Sequence, residues 1–269
     1  MDKIAGPLAQ MSNALDANFL AQYHLPIGEQ AIALNPLVGK PISLAFSGQM
    51  ACVGCGRVIQ KSFQQGYCFP CTQRLAACDL CIVKPELCHF DKGTCREPEW
   101  GKAHCMQPHY VYLANSSGLK VGITRAVNVP YRWIDQGATQ GLLLAKMHSR
   151  YFAGLLEVQV AQHIADKTNW RKMLQGEAEP VDLQEVRAQL LPKLTLDPKQ
   201  GGWLLDATPY QIKYPVLQYP QKLVSLGFDK TAEISGVLHG IKGQYLLLDS
   251  GVLNVRKFAG YQIKFESTQ

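Results

Sequence analysis

The chain has 269 residues, 47% hydrophobic and 18% charged, with a formal net charge of +6. That composition excludes a wholly disordered or fibrous chain, and the length argues for more than one domain. No apolar run approaches the ~18 residues of a membrane span, and the N-terminal stretch MDKIAGPLAQMSNALDANFL has no apolar signal core, so a cytoplasmic protein without a membrane partner is expected.

Residues 1–51 read as β-rich, with strands near 20–24, 31–35 and 41–47. There LVGKPISLAFSGQM alternates apolar with small or polar residues between turn signals. Residues 52–105 contain every cysteine and few apolar runs, so metal has to stand in for a core. In 109–178 the stretch HYVYLANSSGLKVGITR predicts two strands about the turn Asn115-Ser116-Ser117-Gly118. After Pro130, YRWIDQGA predicts a short helix ending near Gly137. LLLAKMHSRY reads as a strand and FAGLLEVQVAQHIADKTN as a helix. A Pro and an Asp open a further helix at about Val181.

From 202 to 269 the runs YPVLQYP, ISGVLHGI, QYLLLD, LNVRKFA and YQIKF predict strands, split by turns at Gly236, Gly240, Gly243, Gly251 and Gly260. A small twisted barrel or half-barrel fits them. Neither terminal β segment makes a domain by itself, so the two are expected to pair, with the middle of the chain inserted between them. The fold class is α+β, divided as 1–51, 52–108, 109–178 and 179–269.

Nine cysteines all lie between Cys52 and Cys105. Crowding without an export signal argues for reduced thiolates on metal, not disulfides. Cys52-Val-Gly-Cys55-Gly forms a knuckle in which two thiolates grip one ion and the glycine permits the tight turn. After twelve intervening residues comes Cys68-Phe-Pro-Cys71. Two such pairs make a four-thiolate zinc site. Cys78 and Cys81 form a third pair, expected to supply half of a second site. Cys88, Cys95 and Cys105, with His89 and His104 as nitrogen alternatives, supply the rest. Four plus four leaves at least one thiol over. Closed four-ligand sites of this kind are structural. The iron–sulfur spacing C-x2-C-x2-C is absent, as is the deaminase pattern H-x-E with P-C-x-x-C.

Beyond the cysteines, Glu157 falls on the helical arc of Leu156, Val160, Ala161 and Ile164. A carboxylate on an apolar stripe must be paired, protonated or metal-bound. Arg132 and Arg150 are its candidate structural partners. Lys120, Arg125, Arg132, Lys146, Arg150, Lys167, Arg171 and Lys172 crowd this region, interleaved with Tyr110, Tyr112, Tyr131, Trp133, Tyr151 and Trp170. Such a mixture suits phosphates and stacked bases, and equally an ordinary solvated face. Strand packing accounts for Tyr110 and Tyr112 as well as a site does. His148 and His163 read as bland, Trp133 and Trp170 as core, and Asn169 as a cap or a substrate contact. The phosphate-binding loop, dinucleotide fingerprint, H-E-x-x-H and G-x-S-x-G are all missing.

Tyr110-Val111-Tyr112-Leu113, then Lys120-Val121-Gly122-Ile123-Thr124, then Arg132 and Glu157, resembles the GIY-YIG nuclease superfamily. The shorter phage and bacterial branches, whose second motif often reads Lys-Ile-Gly-x-Thr, are most similar. The resemblance runs from His109 to about Asn169. The whole chain is also similar to an uncharacterised bacterial family that joins a cysteine-rich segment to such a core.

The resemblance implies a GIY-YIG-like core using one divalent ion, Mg²⁺ or Mn²⁺, at Glu157. It implies that Tyr112 helps activate water, that Arg132 stabilises the phosphate, and that Gly122 is the motif glycine. Lys120 stands where the family has its second tyrosine, with seven residues between it and Tyr112. It can bind phosphate, or act as a base only with a strongly lowered pKa. Three readings follow. One is a zinc-containing, metal-dependent endonuclease. Another is a non-catalytic DNA- or RNA-binding protein. The third is a protein-interaction module with structural zinc.

Overall fold

A computed structural model describes residues 4–164 and 167–267. The N-terminal part supplies β1 (Ile4–Pro7), β2 (Ser12–Leu15), β3 (Ala21–Ile27), β4 (Gln30–Ala33) and β5 (Pro41–Ala51). In β3 strict alternation buries Ala21, Tyr23, Leu25 and Ile27 on one face. The cysteine-rich segment follows, with β6 (Val58–Ile59), α1 (Phe69–Arg74), a series of single 3₁₀ turns and α2 (Pro98–His104). A proline opens each of these two short helices, where its missing N–H costs nothing.

The central core is β7 (His109–Asn115), β8 (Leu119–Arg125), α3 (Tyr131–Asp135), β9 (Gln140–Met147), α4 (Arg150–Ala161), α5 (Trp170–Leu174), α6 (Leu183–Leu190), β10 (Gly201–Trp203) and β11 (Tyr210–Gln211). The chain closes with β12 (Glu233–Lys242), β13 (Tyr245–Leu248), β14 (Gly251–Asn254) and β15 (Tyr261–Ser267). No helix among the described residues is long and apolar enough to cross a membrane.

The first sheet runs β1-β15-β5-β12-β13-β14, with β6 added to β5. N-terminal β1 and β5 thus both pair with C-terminal β15, and β5 also pairs with β12. The two ends of the chain build one sheet, and everything from β6 to β11 lies between β5 and β12 in sequence. A second sheet, β10-β9-β7-β8, carries β11 on β9, and a third is the meander β2-β3-β4.

Four expectations are corrected. The first sheet is open, because β1 and β14 end the path unpaired to each other and a barrel requires that closure. YPVLQYP forms only an isolated bridge at Val216, since Pro215 and Pro220 have no amide to give a ladder. LNVRKFA is strand only to Asn254, whose side chain accepts from Lys257 N and starts a 3₁₀ turn. The expected long helix also stops early, at Ala161. Its predicted continuation crosses residues 165–166, which lie outside the described residues. Asn169 then caps α5, accepting from Arg171 N and Lys172 N, and Asp182 caps α6 in the same way.

Alternation in β7 decides the layering. Val111 and Leu113 join the apolar cluster beneath α4, with Leu156 and Val160. Tyr112 and Ala114 join the larger cluster shared with α3 and the terminal strands. Helices α3 and α4 therefore lie on opposite faces of the second sheet, and β8 is its edge.

Candidate functional site

A cleft of about 880 Å³ runs along the β8 edge. Tyr112, Lys120, Gly122, Arg132 and Glu157 all line it. Strands β7 and β8 supply the first three, α3 brings Arg132, and α4 brings Glu157. Cross-strand pairing sets Gly122 directly opposite Tyr112, and a Cβ there would collide with the phenol hydroxyl. The glycine lets the ring lie over the strand.

Tyr112 is 1% exposed, and its hydroxyl contacts the Gln136 amide, with Gln136 Nε2 donating at 3.0 Å. Burial pushes its phenol above the usual range, while Arg132 and Gln136 pull back. It is a neutral hydroxyl at physiological pH, able to orient a partner but not to act as a standing phenolate. Lys120 is buried, and its Nζ donates to Thr168 Oγ1 at 3.2 Å.

Charge in the cleft is lopsided. Among the described residues, Lys84, Lys120, Arg125, Arg132, Arg150 and Lys167 line it against two carboxylates, Glu86 and Glu157. Part of one wall comes from the cysteine-rich segment, which contributes Lys84, Glu86, Trp100 and His104. Trp100 and His104 stack with ring centres 4.0 Å apart. The segment docks on α4 at Gly154, where the Pro85–Glu86 backbone fills the space a Cβ would need. Arg150, the first residue of α4, donates to the carbonyls of Cys81 at 3.2 Å and Ile82 at 2.6 Å.

Gln136, Glu86 and Thr168 were not singled out from sequence. Gln136 had a signal, because it follows Arg132 by one helical turn. Glu86 and Thr168 had none, since tertiary packing alone brings them here. His148 Nδ1 lies 3.0 Å from Lys199 O, His163 is exposed, and neither lines the cleft. Trp133 is fully buried core.

The cysteines gather as the first pairing predicted. Cys52, Cys55, Cys68 and Cys71 bring four thiols within 4.8 Å of one another. Cys55 and Cys68 sulfurs are 3.8 Å apart. A tetrahedron with metal–sulfur bonds of about 2.3 Å has an edge of about 3.8 Å. Cys52 ends the run out of β5, and Cys68 is the N-cap of α1. Burial opposes ionisation of Cys52, but the amides of Cys68, Gly54 and Cys55 more than offset it and lower the thiol to about 6. A thiolate poised in this way is suited to hold a metal ion.

Asp79, Cys81 and His89 form a second group able to hold an ion. Cys78 and Cys81 separate. Cys78 has the first cluster's Cys52 and Cys68 among its charged neighbours, whereas Cys81 lines a small cavity with Cys88, Cys95 and Cys105. His104 does not line that cavity; His89 does.

Fold and cluster define an α+β protein with a four-thiol centre suited to a metal ion. The chain belongs to the family described as protein of unknown function DUF2797, whose profile matches residues 39–263. No curated protein and no solved structure matches it.

Proposed function

We propose that the cleft binds nucleic acid and cleaves its phosphodiester backbone as a GIY-YIG-like endonuclease, with zinc as the structural ion at Cys52, Cys55, Cys68 and Cys71. One observation carries this reading: Tyr112, Lys120, Arg132 and Glu157 converge on a single cleft whose other charges are mostly cationic. A polyanion is the ligand that such a surface favours. Arg132 and Lys120 neutralise the phosphate. The Tyr112 hydroxyl, held by Gln136, orients the attacking water.

Among the described residues, the groups of three or more metal ligands lie in the cysteine-rich segment, not in the cleft. A divalent ion at Glu157 would therefore use one carboxylate with water and phosphate oxygens, which suits Mg²⁺. Bound there, the ion supplies charge neutralisation and a more acidic water. A second reading, binding without cleavage, is favoured by Lys120 in the place of the second tyrosine.

The test uses full-length protein stripped of loosely bound divalents with zinc retained, and DNA and RNA substrates with and without Mg²⁺ or Mn²⁺. Ion-dependent cleavage is expected, lost by a factor of about 100 or more in Glu157→Gln and Arg132→Ala. Cleavage that survives both substitutions belongs to a contaminant and removes the nuclease reading. Salt-sensitive binding without cleavage selects the second. Absence of binding at low salt defeats both.

A further inference from the structure

We infer that a second structural zinc is held by the thiolates of Cys81, Cys88, Cys95 and Cys105, and that Cys78 is the thiol left over. The four come from separate turns with six, six and nine residues between successive members, so no local pair announces them. Cys81 lies in the 80–82 turn, Cys88 caps the 85–87 turn, Cys95 precedes α2 and Cys105 caps its end. All four line one small cavity walled by Phe90 and Trp100. The fold makes room for them: a Cβ on Gly101 of α2 would come within 2.8 Å of Cys95 Sγ.

Asp79 and His89 also line this cavity, and with Cys81 they form the competing ligand set. Asp79 Oδ2 and both ring nitrogens of His89 already have partners. Asp79 Oδ2 accepts from Arg96 Nε at 2.7 Å, and His89 Nδ1 lies 2.7 Å from Thr94 Oγ1. His89 Nε2 is 3.4 Å from the same Asp79 oxygen. Metal at Asp79 Oδ2 or His89 Nε2 would displace these contacts while soft thiolates stood beside it. Zinc takes the thiolates. Four thiolates on Zn²⁺ carry a net charge of about −2, and Arg150, hydrogen-bonded to the carbonyls of Cys81 and Ile82, is placed to offset part of it. Arg96 also donates to the carbonyls of Thr72 and Leu75, tying this site to the first cluster.

The site has a consequence for the cleft. Its turns hold Pro85 and Glu86 against Gly154 of α4, one turn before Glu157. The second zinc is thus the clamp that keeps the cysteine-rich wall on the metal-bearing helix. This role does not depend on whether the cleft cleaves anything.

Two measurements on full-length protein test the assignment. Elemental analysis with zinc X-ray absorption on the unmodified chain is expected to give two zincs per chain and an average of four sulfurs per zinc. One zinc per chain overturns the proposal, as does an average below three sulfurs, the value the competing set predicts. Zinc content is also expected to fall from two to one per chain in Cys88→Ser and Cys105→Ser. It is expected to stay at two in Asp79→Asn, His89→Gln and Cys78→Ser. Loss of zinc in Asp79→Asn and His89→Gln, with retention in Cys88→Ser, would assign the ion to the competing set.

Discussion

Tyr112 occupies its place only because residue 122 has no side chain. The atoms nearest to a Cβ at Gly122 are the hydroxyl and Cζ of that phenol, and the ring is fully buried with nowhere to swing. Gly122→Ala is expected to lower stability by about 1–3 kcal/mol through overpacking and to break the Gln136 contact. A thermal melt unchanged within error would show that the ring yields freely. His109 offers a second test at this scale. It is fully buried, its Nδ1 faces Gln107 O at 2.8 Å, and its Nε2 has no hydrogen-bond partner among the described residues. Burial, together with the nearby Arg150 and Arg125, lowers it to about 4 from 6.5. A depressed folded-state pKa contributes stability that is present above the unfolded value and lost as pH falls through the folded one. The window is therefore pH 6.5 down to 4, and the size is about 3 kcal/mol. Denaturant midpoints measured across that window should fall in the unmodified protein, with a shallower slope in His109→Gln. Equal slopes would show that His109 is not the titrating group.

Between elements, the critical contact is backbone against helix. Gly154 of α4 meets Glu86 N and the carbonyl carbon of Pro85, the latter 2.5 Å from where a Cβ would sit. A backbone cannot rotate aside as a side chain can. Gly154→Ala is therefore expected to cost about 1–3 kcal/mol and to lift the cysteine-rich wall from the cleft. Hydrogen exchange confined to residues 79–105 would show it; unchanged protection there would mean that the docking tolerates a methyl. This contact also marks where sequence reading stops. The β7–β8 hairpin was legible because its turn, Asn115 to Gly118, carries its own local signal, and the structure places strands on either side of it. Tyr112, Arg132 and Glu157 were singled out by a resemblance, and the structure brings them to one cleft; Cys52 to Cys71 were legible as paired spacings. Helices α1 and α2 were not, being six and seven residues long with no amphipathic period to read. Glu86 and the cavity shared by Cys81, Cys88, Cys95 and Cys105 exist only through long-range packing, which leaves no periodic trace.

Over the whole molecule, the central sheet depends on the terminal one. Tyr112, Trp133 and Ile134 share a single apolar cluster with Met11, Tyr23, Leu25, Leu246 and Phe258. A polar knot seals the same boundary. Asp135 of α3 accepts from Asn13 Nδ2 at 2.7 Å and Gln244 Nε2 at 2.8 Å, and pairs with Arg256 at 3.0 Å. Gln244 in turn brackets Met11, accepting from its N–H and donating to its carbonyl, each at 2.9 Å. Arg132 sits one turn before Asp135, so the cleft arginine rides on a helix that both chain ends hold in place. Residues 107–212, expressed alone, would expose Trp133 and Ile134 and leave Asp135 without any of these three partners. Such a fragment is expected to keep strand and helix signals in far-ultraviolet dichroism while losing near-ultraviolet dichroism and binding a hydrophobic dye, the behaviour of a compact state without fixed packing. A cooperative thermal transition in the fragment would show instead that the central core folds by itself and that the terminal sheet is an accessory. The physical reason to expect the first outcome lies in β7: its two faces feed two different clusters, and the fragment keeps α4 over one face but only α3 and its neighbours over the other, where the terminal strands supply most of the cluster.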